Sequence, residues 1–165
     1  MKKLNLGCGT LLLPGYINCD MYDPAAEVHC DARKLPFETD SIDEIYTSHL
    51  VEHFDFQEAW NVLREWIRVL RPGGTLILET PNLYTSCKRF AEFYETGNQQ
   101  GCISMYSHFF SEPWTNPGQV HKFIYTPLQL RWTLEQLGMQ NIRQETATRY
   151  IGREDICMKF LCEKP

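Results

Sequence analysis

The chain has 165 residues, enough for one ordinary domain and too few for two. Lys plus Arg is 16 against 21 Asp plus Glu, a formal charge of −5, which argues against a dedicated nucleic-acid binder. With 43% apolar and 22% charged residues, the composition excludes a disordered or collagen-like chain. No apolar run approaches the roughly 20 residues needed to span a bilayer. Met1-Lys2-Lys3-Leu4-Asn5 runs into glycines and a proline, unlike a signal peptide. Seven cysteines without CxxC spacing suit reduced thiols in a cytoplasmic protein better than a zinc ribbon or disulfide framework.

The first 80 residues alternate short β-favouring runs with glycine or acidic turns. Leu4 to Leu6 is the first strand, ending at Gly7-Cys8-Gly9. Tyr16 to Cys19 is the second, ending at Asp20, and Glu27 to Cys30 is the third, ending at Asp31. Asp43 to Ser48 is the fourth. Phe56 to Leu70 has helical periodicity, stopped by Pro72-Gly73-Gly74. Thr75 to Leu78 is an uninterrupted β-favouring run, as expected of a strand buried on both faces. A second helix runs from Leu83 to near Gly97. Residues 98–117, with Gly, Asn, Ser and Pro, read as irregular. Thr126-Pro127 starts another helix, with Gly138 ending it. Strands near 141–148 and 155–162 close the chain.

These units predict a single α/β domain, 1–165, around a mostly parallel sheet with a C-terminal antiparallel hairpin. Gly7, Cys8 and Gly9, with Asp20 and Asp31, all fall at carboxyl ends of strands, where open α/β sheets bind ligands. Glycines let backbone approach a ligand, and a carboxylate at the end of the second strand can accept ribose hydroxyls.

At these residues the chain resembles class I S-adenosylmethionine-dependent methyltransferases, of a short, type 11-like form with a clipped N-terminal half. The segments are LNLGCG (4–9), PGYINCD (14–20), CDARKLPF (30–37), SIDEIYTSHLVEHF (41–54), LREWIRVLRPGGTLILETPNL (63–83) and HKFIYTPLQLRWTLEQLGMQNI (121–142). The resemblance implies a Rossmann-like, seven-stranded sheet and S-adenosylmethionine as cofactor. It places Gly7, Cys8 and Gly9 at the methionine part, Asp20 and Met21 at the ribose, and Asp31, Ala32 and Leu35 at the adenine. Ser48, His49 and His53 would face the methyl-donor side, and Arg71 to Gly74 would be structural. Asn5 stands where the family usually has an acidic residue, and it too would border the cofactor.

Only ten residues separate Gly9 from Asp20, and ten separate Asp20 from Asp31. Parallel neighbours normally need a crossover of about a dozen or more residues. Helices over strands 1–3 are therefore expected to be reduced or missing. Leu4 and Leu6 alternate with Lys3 and Asn5, and Ile17 and Cys19 flank Asn18, which predicts one face of this half open to water or to a partner chain. A homodimer over that face and a monomer are both allowed.

His49-Leu50-Val51-Glu52-His53 matches the H-x-x-E-H pattern of one zinc metalloprotease class. It directly follows a strand and no long helical domain offers a third ligand, so no metal is expected. Ten of the 21 aromatics lie in 84–126, which reads as an aromatic lid over a substrate or as the core of an insertion. His108, Lys122 and Tyr125 are its substrate-side candidates, and His49, His53 and His121 are candidates for general base.

The expected activity is methyl transfer to an oxygen or nitrogen of a small molecule, with neither nucleic acid nor membrane as partner. The alternative is a non-catalytic S-adenosylmethionine-binding or protein-interaction module. A dinucleotide oxidoreductase is disfavoured because Leu12 stands at the third glycine of G-x-G-x-x-G.

Overall fold

A computed structural model describes residues 1–111, 119–149 and 152–165. Seven strands form one sheet in the order β3-β2-β1-β4-β5-β7-β6. They are β1 (Lys3–Leu6), β2 (Ile17–Asp20), β3 (Val28–His29), β4 (Ile42–Ser48), β5 (Leu70–Pro81), β6 (Gln140–Glu145) and β7 (Cys157–Glu163). β1 to β5 pair in parallel, while β7 runs antiparallel to both β5 and β6. The helices are α1 (Phe56–Val69), α2 (Leu83–Glu95), α3 (Gln99–Phe110) and α4 (Pro127–Gln136). The predicted α/β fold with its C-terminal hairpin is the fold observed.

No helix lies between β1 and β4. The shortened crossovers are irregular loops, as their length requires. The predicted open face, however, is sealed at β1 and β2. Asn5 and Asn18 are 2% and 3% exposed. Asn5 Nδ2 donates to Leu11 O at 2.7 Å and to Asn18 Oδ1 at 2.9 Å. Leu13 N donates to the same Oδ1 at 2.8 Å, and Asn18 Nδ2 donates to Leu13 O and Tyr16 O. Two side-chain amides thus fold the 7–16 loop back over the sheet. A buried polar group needs its hydrogen bonds met, and here the crossover meets them.

The other face of the sheet carries the main core. Asp55 caps α1 by accepting from Glu58 N at 2.8 Å. Ala59, Val62, Leu63, Trp66 and Val69 then bury one stripe against Leu4, Leu6, Ile45 and Leu76. Trp66 Nε1 donates to Ala32 O at 2.9 Å and fixes the loop after β3. Thr126 caps α4 at Gln129 N, as its sequence predicts.

β5 is longer than Thr75–Leu78 because its Arg71-Pro72-Gly73-Gly74 bulge pairs at both ends. Leu70 pairs with Ile42 and Thr75 with Glu44, with an irregularity between. Gly74 has no room for a side chain: a Cβ would stand 2.8 Å from Arg71 O and 3.2 Å from the carbonyls of Ile42 and Asp43. Residues 71–74 thus shape the tight bulge that lets β5 pair with β4 on either side of it.

Residues 99–110 are not irregular but helical. Asn98 caps α3 at Gly101 N, and Gly101 lets α3 lie against the Phe93 ring of α2, where a Cβ would stand 2.5 Å from Cγ. The contact between two helices outweighs the weak local propensity of Gly, Ser and Asn. Residues 112–117 of that expected loop lie outside the described residues, as does Trp114. Met105, Ala147, Ile156 and Cys157 make a second small core, with Phe90, Phe93 and Phe109 against it. All seven cysteines are free thiols, and Cys8, Cys19, Cys157 and Cys162 are buried. Among the described residues, no helix is long and apolar enough to cross a membrane.

Candidate active site

The carboxyl ends of β1, β2 and β4 open onto a cavity of about 930 Å³. Gly7 and Gly9 bend the chain after β1 at φ +65° and +47°. A Cβ on Gly7 would meet Leu50 Cδ2 at 2.9 Å, so the glycine lets the loop close on the segment after β4. Asp20 holds this loop. Its Oδ2 accepts from Gly9 N at 2.9 Å, and its Oδ1 accepts from Tyr22 N at 2.8 Å and Asp23 N at 2.9 Å. Burial pushes the Asp20 carboxyl up, but the three N–H donors outweigh it and hold it below the usual carboxylate range. Asp31 lies at the same rim, paired to Arg33 Nε at 2.9 Å. Met21, Tyr22, Ala32 and Phe54 add apolar surface to the wall.

The opposite wall begins at His49, with φ +54°, directly after β4. Val51–His53 then make one 3-10 turn. His49 and His53 are therefore not successive positions on one α-helix face. Glu52 is fully buried beneath this turn. Its Oε2 accepts from Thr80 Oγ1 at 3.1 Å, and its Oε1 lies 3.0 Å from His49 Nδ1 and 4.0 Å from His121 Nε2. Its main-chain carbonyl accepts from Lys122 N at 2.8 Å and Phe123 N at 3.2 Å, which pins the 119–126 segment across the site. The His53 and His121 rings lie 5.1 Å apart between centroids, tilted by 59°.

Burial opposes ionisation of Glu52, but His49 at 3.0 Å and the nearby charges of His53 and His121 hold its carboxyl low. Burial pushes His49 down, and contact with Cys157 and Glu52 more than reverses this, raising it to about 9. Burial lowers His121. It lowers His108 further, to about 4, helped by repulsion from His49 and His121. His108 Nε2 and Ser86 Oγ are hydrogen-bonded at 2.8 Å.

Most residues expected at the site border the cavity: Asn5, Gly7, Cys8, Gly9, Asp20, Met21, Asp31, Ala32, Ser48, His49, His53, His108, His121 and Lys122. Asn5 does so with its amide N–H groups committed to Leu11 and Asn18. Two expected residues are elsewhere. Leu35 packs in the main core, where Glu65 accepts from its N–H. Tyr125 is fully buried beside Phe123, and burial raises its hydroxyl to about 12. Among the described residues of 84–126, Phe90, Phe93 and Phe109 pack on the second small core instead of lining the cavity. The wall from α3 is Ser104, Ser107 and His108, while Tyr84, Tyr94, Tyr106 and Phe110 face solvent.

Sequence reasoning missed Arg149, Arg153 and Cys157, which join the cavity from the β6–β7 connection and the start of β7. No local motif marks them. Arg149 is held there by Glu79, a buried carboxylate on β5 whose Oε2 accepts from Thr148 N at 2.9 Å and Arg149 N at 3.0 Å. Glu52 was legible only as part of H-x-x-E-H.

The chain matches the methyltransferase domain family over residues 4–78. It is 33% identical over 66 residues to the ubiquinone/menaquinone biosynthesis C-methyltransferase UbiE of Nitrosospira multiformis, covering 39% of this chain. The match spans only 26% of that relative's length. A SAM-dependent methyltransferase structure from Archaeoglobus fulgidus superposes with a TM-score of 0.64 at 16% identity, over 99% of this chain and 86% of that one. A possible histamine N-methyltransferase from Thermotoga maritima gives 0.63 at 15% identity, over 99% and 82%. The chain thus has the fold of the S-adenosylmethionine-dependent methyltransferases, and its first half matches the methyltransferase domain family. Loops, not helices, connect β1, β2, β3 and β4.

The cavity fits S-adenosylmethionine. The two positive-φ glycines leave backbone exposed to a ligand, a carboxylate stands at the end of β2, and the volume suits a nucleoside-sized molecule.

Proposed function

We propose that this protein transfers a methyl group from S-adenosylmethionine to a small-molecule acceptor at oxygen or nitrogen. The observation that carries the reading is one cavity with two unlike walls. The glycine loop and Asp20 form one wall, and the Glu52 and histidine cluster forms the other. S-adenosylmethionine, when bound, supplies an electrophilic methyl on a sulfonium, so the protein's work is orientation and exclusion of water. Gly7, Cys8 and Gly9 line the methionine part. Asp20 accepts from a ribose hydroxyl while bracing the loop, with Met21 against the sugar. Asp31 and Ala32 border the adenine.

His49, His53 and His121 form the acceptor-activating side, with Ser48 at its base. His108 and Lys122 border the acceptor. Lys122 Nζ is also 3.5 Å from Glu58, so it is a rim charge rather than a buried one. The C-methylation in the name of the UbiE relative is not carried over. An acceptor wall of imidazoles and serines suits a heteroatom that hydrogen-bonds before it reacts.

Calorimetric titration with S-adenosylhomocysteine and S-adenosylmethionine tests the reading. One-to-one binding in the micromolar range is expected. A folded protein that binds neither would overturn it. The second reading, a non-catalytic cofactor-binding module, is favoured by the loss of the helices over β1 to β3. Methyl transfer from labelled cofactor into fractionated small-molecule extracts separates the two.

A further inference from the structure

We propose that Glu52, His53 and His121 bind one divalent transition-metal ion of the zinc class, with its open coordination positions facing the cavity. Their ligand atoms all lie within 4.8 Å of one another. They come from two separate parts of the chain, the turn after β4 and the 119–126 segment.

Hydrogen bonding decides what these atoms offer. His53 Nδ1 lies 3.2 Å from Val120 O, and His121 Nδ1 lies 2.9 Å from His108 O. A carbonyl oxygen only accepts, so each Nδ1 carries the proton and donates. In the neutral ring each Nε2 is then a bare lone pair. The carboxylate between them is equally an acceptor. It is fully buried, and its Oε1 has no well-aligned hydrogen-bond partner. Three acceptors therefore converge on one point, and His49 at 3.0 Å, poorly aligned for a hydrogen bond, is the near partner of the buried Oε1. A cation at their centre resolves this.

Histidines that donate their other N–H to main-chain carbonyls are the usual support of metal-binding imidazoles, because the bond fixes both tautomer and ring orientation. Two imidazoles and one carboxylate are the donor set of open zinc sites and of related ions, which leave positions for water or substrate. Ligands about 2.1 Å from a tetrahedral ion stand roughly 3.4 Å apart, so the set draws together on binding. His53 and His121 line the cavity, and Glu52 stands behind them. His49, 3.0 Å from Glu52, borders the set without being needed to complete it. The open positions would take an oxygen donor, a hydroxyl or carboxylate of the acceptor. That last consequence rests on the methyltransferase reading, whereas metal binding does not.

The test is a calorimetric titration of the full chain, stripped with a chelator, with Zn²⁺, together with the visible spectrum on adding Co²⁺. One ion per chain with a Kd of about 1 μM or tighter is expected. The Co²⁺ spectrum should lack thiolate charge transfer, which separates this site from the exposed Cys87. His53→Asn and His121→Asn should each weaken binding roughly 100-fold. Glu52→Gln should do the same if circular dichroism shows it folded. No stoichiometric binding by the folded wild type would overturn the proposal. So would affinity unchanged in folded His53→Asn and His121→Asn, leaving the cluster as an internal imidazolium–carboxylate network. Failure here with intact S-adenosylhomocysteine binding leaves the methyltransferase reading standing, and the reverse result leaves the metal site standing.

Discussion

Replacing Asp20 by Asn should weaken both the loop and the cofactor, by amounts the geometry separates. The Oδ1 position keeps its two donors, Tyr22 N and Asp23 N, because an amide oxygen can still accept. The Oδ2 position becomes an NH2 group 2.9 Å from Gly9 N–H, donor against donor. A hydrogen bond to a charged group contributes about 1.5–3 kcal/mol, so the apo protein should lose about that much stability. A ribose hydroxyl that donates to the same carboxylate loses a bond of the same kind. S-adenosylhomocysteine should then bind about 10- to 150-fold more weakly, since each 1.4 kcal/mol is about tenfold. Asp20→Ala should cost more stability, about 3–4 kcal/mol, because the Tyr22 and Asp23 bonds go too, although water replaces part of them. Urea melts of the apo proteins read the first effect and calorimetry reads the second. If folded Asp20→Asn binds S-adenosylhomocysteine as tightly as wild type, the carboxylate braces the loop and does nothing for the ribose. If its urea midpoint is also unchanged, the bracing argument fails as well.

Gly74→Ala should destabilise by about 2–3 kcal/mol, because the new Cβ meets only main-chain carbonyls, the nearest at 2.8 Å. Gly73→Ala, where the space is open but φ is +71°, should cost about 1–2 kcal/mol, and equal urea midpoints for the two would contradict this. Glu79→Gln can keep its amide oxygen on Thr148 N and Arg149 N and turn its NH2 to the hydroxyls of Thr148 and Tyr46. It therefore loses only the charge and should cost about 1–2 kcal/mol, whereas Glu79→Ala should also lose hydrogen-exchange protection at 148–149. His108 titrates near 4 in the fold against 6.5 when free, so the unfolded chain takes up its proton first as pH falls. Its contribution is complete above about 6.5 and is lost as pH falls toward 4, about 2 kcal/mol of it by pH 5. His49, raised to about 9, acts the other way over this range, so the His108 share is read as the difference. Urea melts in chelator between pH 7.5 and pH 5 should show wild type losing about 2 kcal/mol more than His108→Gln.

The strands and their carboxyl-end residues were legible because each signal is local. A glycine loop, an aspartate and a helix stop follow one another at fixed distance from a short β-favouring run. The missing crossover helices were legible from length alone. What covers their place was not. Asn5 and Asn18 read as solvent-facing positions, yet each satisfies the main chain of a loop six or five residues away. Alternation reports which side chains share a face but not what lies over it. The helix α3 was missed for a related reason, since its stability comes from Gly101 against Phe93 and from the second core, not from local propensity.

The acceptor wall exposes the same limit more sharply. His49, Glu52 and His53 are neighbours in sequence, and a motif reading puts them on a helix with zinc between the two histidines. The chain instead leaves β4 through a left-handed residue at His49 and makes a single 3-10 turn. That swings His49 toward Cys157 and leaves Glu52 and His53 to meet His121, 68 residues further on. The motif reading groups His49 with His53, whereas the fold groups Glu52 and His53 with His121, which arrives only when Glu52's own carbonyl draws the 119–126 segment across the site. Glu52 therefore works twice: its main chain assembles the wall and its side chain supplies the buried charge. Substitutions at Glu52 change only the second of these, which is why its side-chain variants can test the chemistry of the wall while the main-chain bonds that build it remain.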